Sequence, residues 1–471
     1  MAAARVEVLA PGSRGDFLPA LGLAIGLRAR GAEVRLGCHQ GFVAEARGAG
    51  VLARALSGAD PVAARGAPGA TGRAAEELWL RTLREYREGL EWAGSNGSNG
   101  LVVFNFFSSP IVHLLEGDRS GVRAVALLQQ PIIPSPLTPH FLFADPKMRR
   151  TLEAMVAAAA QRKSVVGGPA PAGEASLNLA SYPTAEAILW FPFQRVLRGW
   201  RKELGLPEAP GGGHFQLLRE QLRVPIVYTF SKELLPPGGS APSARGSGPP
   251  PVWHCGSCEP PQEPFWSPTP ELDAFLAHAE DGGWRQSVAY LGLGSSALAL
   301  KRPENALVVL RVLVKQGMRV LVCERLLEAC RRTCPGPLPG RCGEVLAVGN
   351  TPHAWLFRRL DLVVHHGGGG TFAAACAAGV PQVMAPVEFD QSFWAARGRA
   401  LGVAPEPLDV AAEGPLPDQA VSTVVGEALA PWRLDRARKL AGRMRREPES
   451  SAWAAADRIL AVLEGAGEPS P

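Results

Sequence analysis

Val363-Val364-His365-His366-Gly367-Gly368-Gly369-Gly370-Thr371 decides how this chain is read. An apolar run (Leu360, Leu362, Val363, Val364) reads as a buried strand and ends at two histidines. Helix-compatible residues, Thr371 to Ala378, follow the glycines at once. Strand, glycine loop and helix together make an anion site. Glycine lets backbone N–H groups come close to an oxyanion, and a helix N-terminus adds unpaired donors and the positive end of its dipole. A structural turn alone explains four successive glycines poorly, because each carries an entropic cost. Further on, after the next strand-like segment, Asp390-Gln391 has the groups to hydrogen-bond sugar hydroxyls, although the pair could equally cap the next helix. The ligand these residues suggest is a diphosphate that carries a sugar.

Working outward, strand-like and helix-like segments alternate on both sides. In the first half, Val6 to Ala10, Glu33 to Cys38, Leu101 to Phe106 and Val122 to Leu128 read as strands, with helices at Leu18 to Arg30 and Ala74 to Trp92. Residues 95–100, Ser-Asn-Gly-Ser-Asn-Gly, read as an exposed loop. In the second half, Ser287 to Leu293, Met318 to Cys323, Val345 to Val348, Leu360 to Val364 and Pro381 to Met384 read as strands. Helices are expected near Glu304 to Lys315, Pro352 to Phe357 and Thr371 to Ala378. This alternation predicts an α/β protein of two doubly wound, Rossmann-like domains with parallel sheets. Composition sets the boundaries: an N-terminal domain over 1–233, a Pro/Gly/Ser-rich linker over 234–270, a second domain over 271–430, and C-terminal helices over 431–471. Ligands in such sheets bind at the carboxyl ends of the strands, so a crevice between the domains is the expected working site.

Composition narrows the class. At 471 residues and 46% hydrophobic, the chain is globular and long enough for two or three domains. A formal charge of +5 gives no bulk argument for nucleic acid. Arginine is dense from Arg433 to Arg446, which reads as a solvated helix face before it reads as a membrane-attracting one. No leader is visible at the start, and apolar runs such as Met155 to Ala160 are too short to span a bilayer. The expectation is a cytoplasmic protein, at most peripheral to membranes. Eight cysteines suggest no disulfide framework. Cys255, Cys258, Cys330, Cys334 and Cys342 are too scattered to predict a zinc site.

Four further stretches bear on chemistry. Pro11-Gly12-Ser13-Arg14-Gly15-Asp16 directly follows the first strand. Asp16 either N-caps the helix or acts as a general base toward an acceptor hydroxyl, and spacing alone leaves both open. Asn350-Thr351-Pro352-His353 could bring His353 or nearby backbone to a base edge, while Trp355, Leu356 and Phe357 read as core. Gly292-Leu293-Gly294-Ser295-Ser296-Ala297 matches the dinucleotide pattern, with Glu324 at the end of the next strand where a ribose-binding acid belongs; a plain phosphate or ribose contact by Ser295 fits as well. The sequence has no Asp-x-Asp pair, no P-loop and no G-x-S-x-G elbow. No metal and no cofactor are therefore expected, the nucleotide sugar being a co-substrate.

In combination, Gly12-Ser13-Arg14-Gly15-Asp16, Pro352-His353-x-Trp355-Leu356-Phe357, His365-His366-Gly367-Gly368-x-Gly370-Thr371, Ala378-Gly379-Val380-Pro381 and Asp390-Gln391-x-Phe393-Trp394-Ala395 resemble the sterol 3-beta-glucosyltransferase branch of the UDP-glycosyltransferases. They are similar also to bacterial glycosyltransferases of antibiotic aglycones. The resemblance spans most of the chain and is densest from Pro352 to Gly402. It implies the GT-B fold, with an N-terminal acceptor domain and a C-terminal donor domain, both doubly wound, facing a central cleft and the 431–471 helices returning to the first domain, and inverting, metal-independent transfer of a hexose, usually from UDP-glucose. On matching positions, Asp16 becomes the base. His365 becomes a diphosphate contact, with Gly367, Gly368, Gly370 and Thr371 forming the phosphate loop. Asp390 and Gln391 hold the sugar, His353 lies beside the uracil and Ser295 near the phosphates.

The sequence departs from the pattern at Gly369 (usually Ala), Phe372 (often Thr), Ala354 (typically Asp or Ser) and Glu388. The last two bear on donor choice. The implied partners are a UDP-sugar and a sterol or other lipophilic alcohol, with transient contact to a membrane surface and none to nucleic acid. The loops Phe104 to Pro110 and Gln129 to Phe143 are apolar enough to receive such an acceptor, and equally read as ordinary core. Transfer to a natural-product aglycone, a non-catalytic nucleotide-sugar-binding protein, and an NAD-dependent oxidoreductase built on Gly292 to Ala297 are the alternatives. The last leaves the His365 loop and Asp390-Gln391 unexplained.

Overall fold

The computed structural model describes residues 3–57, 73–95, 99–164, 173–191, 194–209, 213–237, 250–261, 266–277, 286–334, 339–340, 343–447 and 451–463. Residues 96–98 of the expected exposed loop, residues 238–249 and 262–265 of the expected linker, and Cys342 lie outside them. The chain divides into two compact units.

The first unit gathers residues 1–232, 236–261 and 449–471. Its sheet holds seven strands: β1 (Arg5–Ala10), β2 (Glu33–Cys38), β3 (Leu52–Ala55), β4 (Gly100–Phe104), β5 (Arg123–Leu128), β6 (Ile226–Tyr228) and β7 (Val252–His254). They lie in the order β3-β2-β1-β4-β5-β6-β7, and every pairing is parallel. β7 falls inside the stretch read as linker, where proline and glycine neighbours masked three strand residues. One face of the sheet packs Val6, Val8, Val34 and Leu36 against Phe17, Leu21 and Ala24 of helix α1 (Arg14–Arg28) and against Ala455 and Ile459 of the Ala452–Leu463 helix. Helix α2 (Arg73–Gly94) runs along β1 and β4.

α1 begins four residues before its expected start. Ser13 is its N-cap, and Asp16 closes the cap from the third helical position. Pro19 lies inside the helix and supplies no N–H to the carbonyl of Gly15. The Gln129 side-chain amide donates to that carbonyl at 2.5 Å instead, which ties the end of β5 to the first turn of α1.

Glu7 is fully buried in this sheet. Its carboxylate accepts from Arg35 Nε at 2.5 Å and from Arg54 Nη2 at 2.7 Å, one guanidinium from each of the next two strands. Removing one member of such a set leaves buried groups uncompensated. Glu7→Gln should lower stability by about 2 kcal/mol, since both arginines retain some solvent. A urea melt checks this, and an unchanged midpoint contradicts it.

The second unit holds residues 233–235 and 262–448. Its sheet has five parallel strands, β8 (Val288–Gly292), β9 (Arg319–Cys323), β10 (Val345–Val348), β11 (Leu362–His365) and β12 (Gln382–Met384), in the order β10-β9-β8-β11-β12. Helices α3 (Glu304–Lys315) and α4 (Glu324–Thr333) cover one face with Val309, Leu313 and Leu327. Leu356, Phe357, Ala374 and Ala375 cover the other. The Pro431–Met444 helix packs on helix α5 (Gly369–Ala378), with Ala441 Cβ close to Gly379. In the 431–471 tail, this helix thus belongs to the second unit and the Ala452–Leu463 helix to the first. Arg433 and Arg443 of the arginine-dense stretch are held by the carbonyl of Ala404 and the carboxylate of Glu233. No described helix is long and apolar enough to cross a membrane.

Candidate active site

Both sheets reverse direction of winding between their central pair, β1 and β4 in one and β8 and β11 in the other. Loops leaving two such strands diverge to opposite faces and open a place for a ligand at the carboxyl edge. Asp16 is set at the first switch point. After β4, Asn105 donates to the carbonyl of Pro11 at 2.7 Å and accepts from the N–H groups of Phe107 and Ser108, so the two loops form one piece. Gly12 has φ +130°, and a Cβ there would strike the Asp16 carboxylate. That carboxylate is mostly buried, and its Oδ2 accepts from Ser13 N at 2.8 Å and Ser13 Oγ at 3.0 Å. Asp16 is therefore a capping residue, from N3 rather than from the N-cap.

The His365 loop occupies the second switch point. His365 pairs with Gly292 across β11 and β8. The chain then turns at Gly367, whose φ is +89°, and α5 starts at Gly369 with Gly368 as N-cap. The first turn of a helix leaves its N–H groups without intrahelical partners, here those of Gly369, Gly370 and Thr371.

His365 does not present its ring to this turn as a ligand group. The side chain is fully buried. Nδ1 accepts from Gly367 N at 3.0 Å, and Nε2 lies 2.8 Å from Gln382 Oε1. Since an amide oxygen only accepts, Nε2 carries the proton and the ring is neutral. Gln382 in turn donates to Cys376 Sγ at 3.3 Å. His365 thus shapes the glycine turn from below. His366 lies against Gly294 and Gly368, and its Nδ1 is buried with no hydrogen-bond partner.

Burial lowers the pKa of His365 to about 3. The unfolded ring titrates at about 6.5, so between these values the unfolded chain binds a proton that the native ring refuses. This contribution to stability is complete above pH 6.5 and is lost as pH falls toward 3. By pH 5 the loss should amount to about 2 kcal/mol. Urea midpoints at pH 7 and pH 5 should therefore differ less in His365→Asn than in the unaltered chain; equal differences would contradict the assignment.

Asp390 and Gln391 follow β12 at the start of helix α6 (Gln391–Leu401). Both are buried. Asp390 Oδ2 accepts from Trp394 Nε1 at 3.0 Å. Gln391 Oε1 accepts from the N–H groups of Val387 and Glu388, and its Nε2 donates to Ser296 Oγ at 2.8 Å. The Gln391 amide therefore stitches the loop after β12 to the loop after β8. Phe389, just before the pair, has φ +59°, a left-handed conformation strained for a non-glycine residue. Ser295 lies half-buried in the 3-10 turn Gly294–Ala299, next to Ser296. His353 opens a short helix, stacks on Phe357 with centroids 4.5 Å apart and meets the Tyr290 ring edge-on at 5.9 Å.

The second unit thus brings Ser295, His353, the glycine turn and Asp390-Gln391 to one edge of one sheet. Asp16 belongs to the first unit. Sequence reading gave no part to Gln382, or to Ser296, Asn105 and Gln129, whose partners lie 94 to 114 positions away. Among the described residues, no three His, Cys, Asp or Glu side chains converge as metal ligands.

Known proteins share sequence and fold with this chain. The family described as erythromycin biosynthesis protein CIII-like, C-terminal domain, matches residues 329–452. O-mycaminosyltylonolide 6-deoxyallosyltransferase of Streptomyces fradiae is 30% identical over 412 residues, which span 86% of each chain. The sterol 3-beta-glucosyltransferase of Cryptococcus neoformans var. neoformans serotype D is 27% identical over 418 residues, 85% of this chain. The chain spans only 24% of that relative's length. Among solved structures, the glycotransferase of kitacinnamycin superposes with a TM-score of 0.62 at 19% identity, over 98% of this chain and 99% of its own. Glycosyltransferase VinC in complex with dTDP gives 0.54 at 17%, over 98% and 100%. The shared fold is GT-B.

Proposed function

This chain belongs to the UDP-glycosyltransferase family, and on that premise we propose that it transfers a hexose, glucose from UDP-glucose, to the hydroxyl of a sterol or similar lipophilic alcohol, with inversion and without a metal. The observation that carries the reading is the turn from β11 into α5. Its N–H groups and helix dipole form a positive cradle suited to a diphosphate leaving group.

In this reading Asp16 takes the acceptor proton while the freed oxygen attacks the anomeric carbon. The bond from that carbon to the diphosphate breaks on the opposite side, its electrons pass to the diphosphate, and one displacement gives inversion. The N–H groups of Gly368, Gly370 and Thr371 receive the growing charge, with Ser295 beside them. Gly367 gives the turn its shape, and His365 holds Gly367. Asp390 accepts from sugar hydroxyls, Gln391 keeps its loop in place, and His353 flanks the base. The chain works in the cytoplasm and meets membranes only to reach its acceptor.

A second reading is transfer to a natural-product aglycone. The Streptomyces fradiae relative, matched along most of both chains, favours it. UDP release from UDP-glucose, without added metal and with or without a sterol suspension, separates the two. Sterol-dependent release supports the first. Release or nucleotide binding that ignores sterol sends the acceptor search to polyketides and peptides. No binding of any nucleotide would refute both.

A further inference from the structure

We infer that Glu324 reads the ribose 2′-hydroxyl of the donor nucleotide and so makes this chain select ribonucleoside over deoxyribonucleoside diphosphates, an inference that rests on the donor site proposed above. The carboxyl ends of the five strands form a row. His365 stands opposite Met384 on one side and Gly292 on the other, and Val348 stands opposite Cys323. At the usual spacing of neighbouring strands, the row is about 19 Å across, comparable to an extended nucleotide sugar.

Asp390 and Gln391 lie beyond β12 at one end of the row, and the glycine turn lies at the β11–β8 centre. His353 lies beyond β10 at the other end. A ligand with its sugar at β12 and its base at β10 therefore sets its ribose over β9. Glu324 directly follows β9. Its carboxylate leans over the start of the next loop, 3.1 Å from where a Cβ on Gly349 would sit. The side chain is exposed, and none of the described residues pairs with it. A carboxylate is an acceptor only, which suits it to the two hydroxyls of a ribose. An acid at the end of the second strand plays this part toward ribose in dinucleotide folds of the same winding.

A plain alternative is that Glu324 only favours the positive end of α4, whose first turn it occupies. The experiment compares uridine diphosphate with 2′-deoxyuridine diphosphate, two probes that differ in one hydroxyl, by calorimetric titration of the full chain and of Glu324→Ala and Glu324→Gln. Hydrogen bonds to charged groups predict that the full chain binds the ribonucleotide about tenfold or more tightly. In Glu324→Ala that ratio should fall to about one, with affinity for the deoxynucleotide nearly unchanged. Glu324→Gln, which keeps one acceptor, should lie between. A ratio near one in the unaltered chain, or a ratio that survives both substitutions, overturns the inference and leaves the donor site standing. Failure of both probes to bind the unaltered chain overturns the donor site and the inference together.

Discussion

Asp16→Asn should lower turnover by about 1,000-fold while leaving nucleotide binding unchanged. The amide is nearly isosteric, but at working pH it cannot take the proton that a hydroxyl must lose as it attacks. The substitution also tests the second role of this residue. Oδ2 closes the cap of α1 by accepting from Ser13 N and Ser13 Oγ. An asparagine can keep its oxygen on those donors, so the cap should cost about 1 kcal/mol or less. Steady-state rates, nucleotide titration and a melt of one preparation give all three numbers. A fall in rate that merely tracks a fall in folded fraction would leave Asp16 as a cap alone. Retained turnover would remove it as the base.

Gly367→Val should reduce nucleotide affinity by about 100-fold or more. With φ +89° the position suits glycine, and valine, branched at Cβ, resists that region most. Any Cβ there also meets the Gln391 carbonyl at 3.0 Å and the Met384 methyl at 3.2 Å. The turn must then open, which moves the N–H groups of Gly368 to Thr371 off their common focus and breaks the bond from Gly367 N to His365 Nδ1. Titration with uridine diphosphate, paired with circular dichroism to show the sheet intact, checks this. Affinity within a few-fold of the unaltered chain would mean that the turn is not where the phosphates go.

The parallel sheets were legible because their central strands are continuous apolar runs, such as Leu101 to Phe104 and Leu362 to Val364, and glycine or proline punctuates them. β3, the four residues Leu52 to Ala55, is too short to announce itself. β7 sits among prolines that read as linker, yet it pairs in parallel with β6, Ile226 opposite Val252. At the site, the glycine turn and Asp390-Gln391 stood out by composition. What each side chain does there did not. Whether His365 faces a ligand or the protein depends on Gln382, and whether Gln391 faces a sugar or its own loop depends on Ser296, a partner 95 positions away. Residue type names the chemistry available, while register and packing decide where it is spent.

The helix that covers α1 carries a consequence for biosynthesis. Gly26 of α1 leaves room for the backbone of Ala452 and the methyl of Ala456, and Arg30 grips Asp457, 427 positions away in sequence. On the ribosome, the first unit must wait with that apolar face bare while the entire second unit emerges, although five of its seven strands are made before residue 130. The segment made first is thus among the last to be finished, and during that interval α1 is the surface a chaperone would find.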